Sequence, residues 1–509
     1  MSENTTSRPV RTRFAPSPTG PLHIGSARSA LFSWLLARHH NGQFILRIED
    51  TDQKRFVEGA IEQMQAGLRW LGLEWDEGPD KGGPYGPYIQ SERLPLYQEW
   101  AKWLLDNDKA YYAYDTPEEL EAISKEREAR KLPPGYDGRH RELTAKQRAD
   151  FEAEGRVPVI RLKMPLEGKT LAYDLIRGDV EFDNSTLQDV VLMKSDGFPT
   201  YHLAHVIDDH FMEISHVTRA IEWLPSMPLH VQLWLAFGWE VPHYAHLPVL
   251  LNPNGKGKLS KRHAGYSEDG RKVLVLTQEF KDAGYLPAAI VNFLTNIGWN
   301  FGDEREVFSV EEAIARFDIT GVNPANSVYP IEKLDWLNGI YIREKTSVED
   351  LAALLRAPLE AAGLDVNEDV LLKITPHVQT RIKTLTDVVD LAGFFFHKEF
   401  SPPTADMLIQ KKMDAQSTRD MLQACYDRLQ TLDNFTTEAI QEVCVQLVGE
   451  LGLKNGQVFG GLRVAVTGQL ISTPTFETMD VLGKTESLKR IRQCIEILES
   501  TLTTEGASS

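Results

Sequence analysis

Between Val10 and Ile48 the spacing of apolar residues changes twice. Val10 to Ala15 reads as a short strand that runs into the turn-forming Pro16-Ser17-Pro18-Thr19-Gly20. From Ser26 to His40 the apolar residues Ala27, Ala30, Leu31, Trp34 and Leu35 mostly recur three or four apart, as on one face of a helix, and Asn41-Gly42 supplies a stop. Gln43 to Ile48 then turns β-rich and ends at Glu49-Asp50-Thr51-Asp52. Strand, helix and strand at these lengths predict a right-handed βαβ unit with parallel strands.

Farther along, residues from about 98 to 185 change character. The charged helical stretch EELEAISKEREARK leads through Leu132-Pro133-Pro134-Gly135 into short β-like runs around Val159 to Lys163, which reads as an insertion. An α/β pattern returns near Asp189, with a hairpin turn at Ser195-Asp196-Gly197, a helical pattern from Ile221 to Phe237 and a β-like run from His246 to Leu251. Beyond about Ile340 the periodicity is almost all helical, with a break at Pro402-Pro403. The expected division is 1–97, 98–185, 186–339 and 340–509.

Composition adds constraints. A chain of 509 residues needs several cores. Its 42% hydrophobic and 25% charged content is that of a globular protein, and no run of about 18 apolar residues predicts a membrane-spanning helix. The polar start, MSENTTSRP, reads as a frayed tail and not as a signal or transit peptide, so a cytoplasmic protein is expected. Cys425, Cys444 and Cys494 are far apart and lack the spacing of a zinc site, so they read as buried, reduced thiols. The formal charge of −18 argues mildly against a nucleic-acid partner, but a whole-chain average does not exclude a local basic surface.

In open parallel sheets, ligands bind at the carboxyl ends of the strands. Here those ends are Ala15 to Gly20 and Glu49 to Asp52, and the helix between them begins beside His23-Ile24-Gly25-Ser26. Helix-start N–H groups and the helix dipole suit a phosphate, His23 adds a donor, and Gly20 and Gly25 allow close approach. An ordinary βα turn with a surface histidine would look the same. A second basic loop, Asn252 to His263, packs four Lys/Arg and two Gly, but no glycine in it lies at Walker A spacing from a Gly-Lys-Ser/Thr, so it is not a P-loop.

RFAPSPTGPLHIGS (13–26), followed by FILRIEDTD (44–52), resembles the signature of bacterial-type glutamyl-tRNA synthetases, class I aminoacyl-tRNA synthetases. In that group the first motif is typically His-Ile-Gly-His, and Ser26 in the last place keeps a hydroxyl donor. Lys258-Leu259-Ser260-Lys261-Arg262 resembles the second class I motif, in the expected order and about 235 residues after His23. The resemblance implies ATP at His23, Gly25, Ser26, Lys258, Ser260 and Lys261, with Mg²⁺ screening the phosphates and the two lysines meeting departing pyrophosphate.

Glutamate brings two carboxylates and one ammonium, so its pocket wants fixed cations and one carboxylate. The matching positions are Arg13, Ala15, Ser17, Glu49, Tyr201, His205 and Arg219, with Arg13 and Arg219 on carboxylates and Glu49 facing the ammonium. His205 stands where the family usually has Asn, and Arg219-Ala220-Ile221-Glu222-Trp223 replaces Arg-x-Glu-Glu-Trp. Near neutral pH the protonation of His205 then matters.

The implied fold is a Rossmann-like catalytic domain with an inserted α+β domain for the tRNA acceptor end, then an all-helical anticodon-binding region. Some members hold zinc through cysteines near Tyr111-Tyr112-Ala113-Tyr114, and with aromatics there no zinc or other metal site is expected. Lys125, Arg127, Arg130, Lys131, Arg139 and Arg141 are candidate contacts for tRNA phosphates, or a solvated charged face. Phe459 to Gly468 resembles a family segment less specifically.

The implied activity is glutamate–tRNA ligation by a monomer: ATP-driven formation of glutamyl-adenylate, then transfer to the terminal ribose of tRNA(Glu), or also tRNA(Gln). The family needs bound tRNA for efficient activation. Glutaminyl relatives carry a β-barrel C-terminal half, and a truncated tRNA-modifying paralogue lacks that half, whereas this chain has a helical one. A non-catalytic tRNA-binding relative is the reading from another class, motivated by Ser26, His205 and Ile221.

Overall fold

The computed structural model describes residues 8–131, 135–260, 265–266 and 270–506. The chain forms two compact units, residues 1–280 with 290–331 and residues 281–289 with 332–509.

In the first unit, β1 (Arg11–Phe14), α1 (Ile24–His39) and β2 (Gln43–Leu46) make the expected parallel βαβ, in register from Arg11 opposite Gln43 to Phe14 opposite Leu46. The ladder continues beyond β2, because the N–H groups of Arg47 and Glu49 donate to the carbonyls of Phe14 and Pro16, each at 3.0 Å. That extension carries Glu49 to the carboxyl edge of the sheet, beside the Pro16 to Gly20 turn. Helix α1 starts two residues before the apolar period does, since the side chain of His23 caps it. It is buried beyond a single stripe, including Arg28, Phe32 and Ser33, because the sheet covers one side and the helix Val310–Arg316 another.

The chain continues through α2 (Ala60–Trp70), α3 (Leu94–Asp106), β3 (Ala110–Ala113), α4 (Pro117–Ala129), α5 (Ala145–Ala153), β4 (Val159–Leu162), β5 (Lys169–Asp174), β6 (Gly178–Asp183) and β7 (Val191–Met193). Then come α6 (Tyr201–Phe211), β8 (His216–Ala220), α7 (Met227–Phe237), β9 (His243–Leu247), β10 (Leu250–Leu251) and β11 (Ser327–Val328). The main sheet has the order β2-β1-β8-β9-β5-β6, parallel except for the antiparallel β5–β6 hairpin at its edge. A small antiparallel sheet has the order β3-β4-β7. Residues 98–185 therefore contribute to both sheets, and β7, from beyond them, completes the small one.

Two local readings differ from the structure. A turn does form at Ser195-Asp196-Gly197, but only an isolated Met193–Pro199 bridge follows, because the periodic stretch from Tyr201 continues as α6. The pattern from Ile221 to Phe237 divides into a 3₁₀ segment to Ser226 and then α7, with Pro228 in its first turn, where no N–H is needed. One face of α6, with Leu203, Ala204, Val206 and Ile207, packs with α3 and α7 in a common core, which fixes the direction of its opposite face.

The second unit is helical among its described residues, and Pro402-Pro403 lies in a non-helical stretch before the helix Ala405–Leu408. Cys425, Cys444 and Cys494 are free thiols in an apolar core built from residues between Leu408 and Leu498. Burial pushes all three upward, the last two to about 12. Among the described residues no helix is long and apolar enough to cross a membrane.

Candidate active site

Gly25 donates its backbone N–H to Nδ1 of His23 at 3.0 Å. With Nδ1 an acceptor, the proton of the neutral ring sits on Nε2, a buried atom with no partner among the described residues. Burial, and then the field of Lys258, push the ring down to about 4, so it is uncharged at neutral pH. A Cβ on Gly25 would lie 3.3 Å from that Nδ1, so glycine leaves the capping ring its room. The start of α1 is less open than its sequence suggests, because the N–H of Ile24 goes to Val275 O at 2.8 Å and that of Gly25 to His23. The Nε2–H of His23 has no partner among the described residues, and Ser26 is exposed on the same turn.

Lys258 lies on a hairpin closed by Asn252 N–H to Gly257 O at 3.1 Å and Leu259 N–H to Leu250 O at 2.7 Å. Gly255 and Gly257 take φ of 71° and 70°, which a turn this tight requires of glycine. Leu259 anchors the loop in the core, while the ammonium of Lys258 is half-exposed and paired with Glu222. The influence of Lys258 on His23 joins the two signature segments across the sequence. Ser260 follows on that loop, and Lys261, with Arg262 and His263, lies outside the described residues.

A group of buried charged and polar side chains is built on α6. Tyr201, His205 and Asp209, four apart, fall on one helix face, with Asp208 beside them. Arg47 is fully buried, donating to Asp209 at 2.7 Å and to Glu49 at 3.0 Å, with Asp208 at 3.6 Å. Arg13 donates to the same Asp209 oxygen and to Thr218 O, each at 3.1 Å. Burial opposes the charge of Asp209, but Arg13 and Arg47 outweigh it and hold its carboxyl below the usual range. Glu49 is raised by burial against the pull of Arg47 and Arg13, and its second oxygen bonds to none of the described residues.

Arg219 is the contrasting case. Its side chain is buried, yet among the described residues no carboxylate touches it. Its Nε donates to His246 Nε2 at 3.0 Å, and its Nη1 lies 3.2 Å from His230 Nδ1 and 3.4 Å from both Tyr201 Oη and His205 Nε2. Burial and Arg219 hold His205 and His230 well below the ordinary value, so both are neutral. The question His205 raised is thereby answered: at neutral pH it adds no charge. Tyr201 Oη lies 3.4 Å from Arg219 Nη1, and the charges of Arg219, Glu49 and Arg13 all bear on it. Ala15 and Ser17 lie on the adjoining turn, half-buried and exposed, and bring no side-chain hydrogen bond to the group.

Arg47, Asp208, Asp209, His230 and His246 were not among the sequence candidates. A signal was present: Asp208-Asp209 closes Leu203 to Ile207, apolar except for His205, and Arg47 interrupts an apolar strand. Such buried charges demand partners.

The buried neutral histidines fix an acid limit. His23 and His202 are held near 4 by burial, against 6.5 when unfolded, and burial holds His205 and His230 well below the ordinary value too. Between those values the unfolded chain binds more protons, so stability complete above about pH 6.5 declines as pH falls. Thermal unfolding of the full chain should show Tm dropping steadily from about pH 7 to about pH 4.5, and a flat Tm would contradict these burial assignments.

The chain resembles known proteins over nearly its whole length. Residues 9–336 match the family model for class I tRNA synthetases (E and Q), catalytic domain, and residues 348–495 match that for an anticodon binding domain. A glutamate–tRNA ligase of Dehalococcoides mccartyi is 48% identical over 491 residues, covering 96% of this chain and 97% of that one. The chain belongs to the glutamate–tRNA ligase family. A further family member, from Roseiflexus sp., is 45% identical over 98% of both chains. Among solved structures, the glutamate tRNA ligase of Elizabethkingia meningosepticum, in complex with its amino acid, superposes with a TM-score of 0.86 at 38% identity, covering 96% of this chain and 100% of that one. The synthetase of Elizabethkingia anophelis gives 0.83, also at 38% identity and the same coverage.

Where some family members are expected to carry zinc, Tyr111 donates to Asp189 at 2.6 Å, and Tyr114 stacks on Phe151 at 5.4 Å beside His140. Arg141, a candidate phosphate contact, is committed to Asp189 through Nε and Nη2 and is not free for one. Lys125, Arg130 and Arg139 keep their place as surface cations, each paired with a neighbouring acid. Lys131 adopts a φ of 54° just after α4.

Proposed function

We propose that this glutamate–tRNA ligase binds glutamate between Arg13, Glu49, Tyr201, His205 and Arg219, and binds MgATP between His23, Gly25, Ser26 and the Lys258 to Lys261 loop. The observation carrying this reading is Arg219, a buried cation ringed by neutral acceptors. Arg47, matched by carboxylates at all three of its nitrogens, has little to offer a substrate, whereas Arg219 can give two parallel N–H donors to an incoming carboxylate. The open oxygen of Glu49 suits the ammonium. Ala15 and Ser17, on the turn between them, would line the substrate's approach.

The α-carboxylate of glutamate attacks the α-phosphorus of ATP in line, breaking the bond to pyrophosphate and forming glutamyl-adenylate. His23 Nε2–H meets a phosphate oxygen, and Lys258 and Lys261 follow the charge that builds on pyrophosphate. Lys258 must leave Glu222 to do so, and since both are about half-exposed that pair costs little to break. The terminal ribose hydroxyl of tRNA(Glu) then attacks the acyl carbon and releases AMP. Positioning and charge stabilisation supply the catalysis, without a covalent enzyme intermediate.

In this reading residues 98–185 meet the acceptor end and 340–509 the anticodon. The chain works as a monomer in the cytosol, consistent with its buried unpaired thiols. The test is glutamate-dependent ATP–pyrophosphate exchange with tRNA(Glu) or tRNA(Gln) present. Lys261→Ala should slow exchange by about 10²–10³-fold while changing glutamate KM little. Equal exchange by this variant removes the phosphate role of the loop, and exchange supported by tRNA(Gln) assigns that tRNA as a second substrate.

A further inference from the structure

Strand β5 reaches the main sheet only at its end, where Asp174 pairs in parallel with Tyr244 of β9. This single contact carries Asp174, fully buried, to the flank of His246, two residues farther along β9. Four donors hold the carboxylate in place. Oδ2 accepts from Nδ1 of His246 at 2.6 Å and from its backbone N–H at 3.0 Å, and Oδ1 accepts the N–H groups of Ile176 and Arg177 at 3.0 and 3.1 Å. Burial opposes the charge of Asp174, but the bonds from His246 more than offset it and hold the group below the usual range.

With Nδ1–H given to Asp174, Nε2 of His246 must present its lone pair, and Nε–H of Arg219 donates into it at 3.0 Å. The rest of the guanidinium meets the ring of Tyr244 at 5.1 Å, His230 Nδ1 at 3.2 Å from Nη1, Tyr201 Oη and His205 Nε2 each at 3.4 Å from Nη1, and Trp223 O at 3.5 Å from Nη2. A carboxylate at Nε would orient Arg219 as well, but it would also neutralise the charge that a substrate carboxylate is meant to meet. The ring of His246 fixes the same edge while remaining neutral, and keeps the Asp174 carboxylate one imidazole away.

We infer that Asp174 and His246 are positioning residues that aim Arg219 for recognition of a carboxylate over a carboxamide in the amino-acid side chain. The inference rests on Arg219 as the glutamate ligand. A tilted guanidinium can still touch either side chain, but it no longer presents two parallel donors, and that geometry separates glutamate from glutamine.

The experiment measures glutamate KM, ATP KM and kcat on the full chain with tRNA(Glu). Variants are His246→Leu, His246→Gln, Asp174→Asn and Arg219→Leu. His246→Leu should raise glutamate KM by about tenfold or more, leave ATP KM unchanged and lower the preference for glutamate over glutamine by a like factor. His246→Gln, whose Oε1 can stand where Nε2 stood, should recover to within about threefold of the parent. Asp174→Asn puts an amide N–H against His246 Nδ1, turns the ring's proton toward Arg219, and should behave as His246→Leu does. It serves if the leucine variant fails to fold. Parental glutamate KM in folded His246→Leu or Asp174→Asn, equal KM in His246→Gln and His246→Leu, or an equal loss toward ATP would each overturn the inference. If Arg219→Leu alone raises glutamate KM, the positioning role is wrong and the ligand role stands. If Arg219→Leu leaves it unchanged, the ligand role itself is wrong.

Discussion

Arg219→Leu is expected to lower kcat/KM for glutamate by about two to three orders of magnitude while leaving ATP KM near its parental value. Losing one partner of a buried, hydrogen-bonded charge pair costs about 2–5 kcal/mol, and each 1.4 kcal/mol is about a factor of ten. In the free protein the same change should move Tm little. It removes hydrogen bonds to His246 and His230, but it also removes a buried cation that no carboxylate of the described residues touches. These effects oppose each other, each on the order of 1–3 kcal/mol. Steady-state kinetics with tRNA(Glu), beside a thermal melt, separates the outcomes. Unchanged glutamate kinetics would remove Arg219 from the site, and a collapse in Tm would make it structural.

Arg47→Met should behave in the opposite way. Arg47 is fully buried among Glu49, Asp208 and Asp209, bonded to the first and last and within 3.6 Å of the second. Arg13 and Arg93 remain as partners of Asp209 and Asp208, but the Glu49 carboxylate loses its one hydrogen bond among the described residues. Breaking a buried pair from one side costs about 3–5 kcal/mol, because the remaining carboxylates stay buried with less compensation. Chemical denaturation should show that loss, and amide exchange should rise first in β1, β2 and α6. A midpoint shift worth less than about 1 kcal/mol would show the network to be dispensable. The two buried arginines thus differ by what already surrounds them: Arg47 is matched within the fold, and Arg219 awaits its match.

That difference could not be read from the chain. The βαβ unit was legible because Val10 to Ile48 switches between the strand and helix periods with stop signals between them. The two motifs were legible because their residues are local. The partners of Arg13 and Arg219 were not, because they arrive through topology: Asp209 lies 196 residues after Arg13, and Asp174 reaches His246 through a single β5–β9 register pair. Local pattern also misjudged the helix start, where an open set of N–H donors was expected and the Ile24 and Gly25 donors prove engaged. Periodicity stopped short at Ser195 to Gly197 as well, since a turn signal does not say whether strand or helix follows.

Aminoacylation of tRNA(Glu) with labelled glutamate and labelled glutamine, by the parent chain and Arg219→Leu side by side, tests glutamate recognition at Arg219 most directly. Recognition there predicts efficient transfer of glutamate and not glutamine by the parent, with the glutamate signal falling by about 10²-fold or more in the variant. No glutamate transfer by the parent, or equal transfer by both proteins, would contradict it.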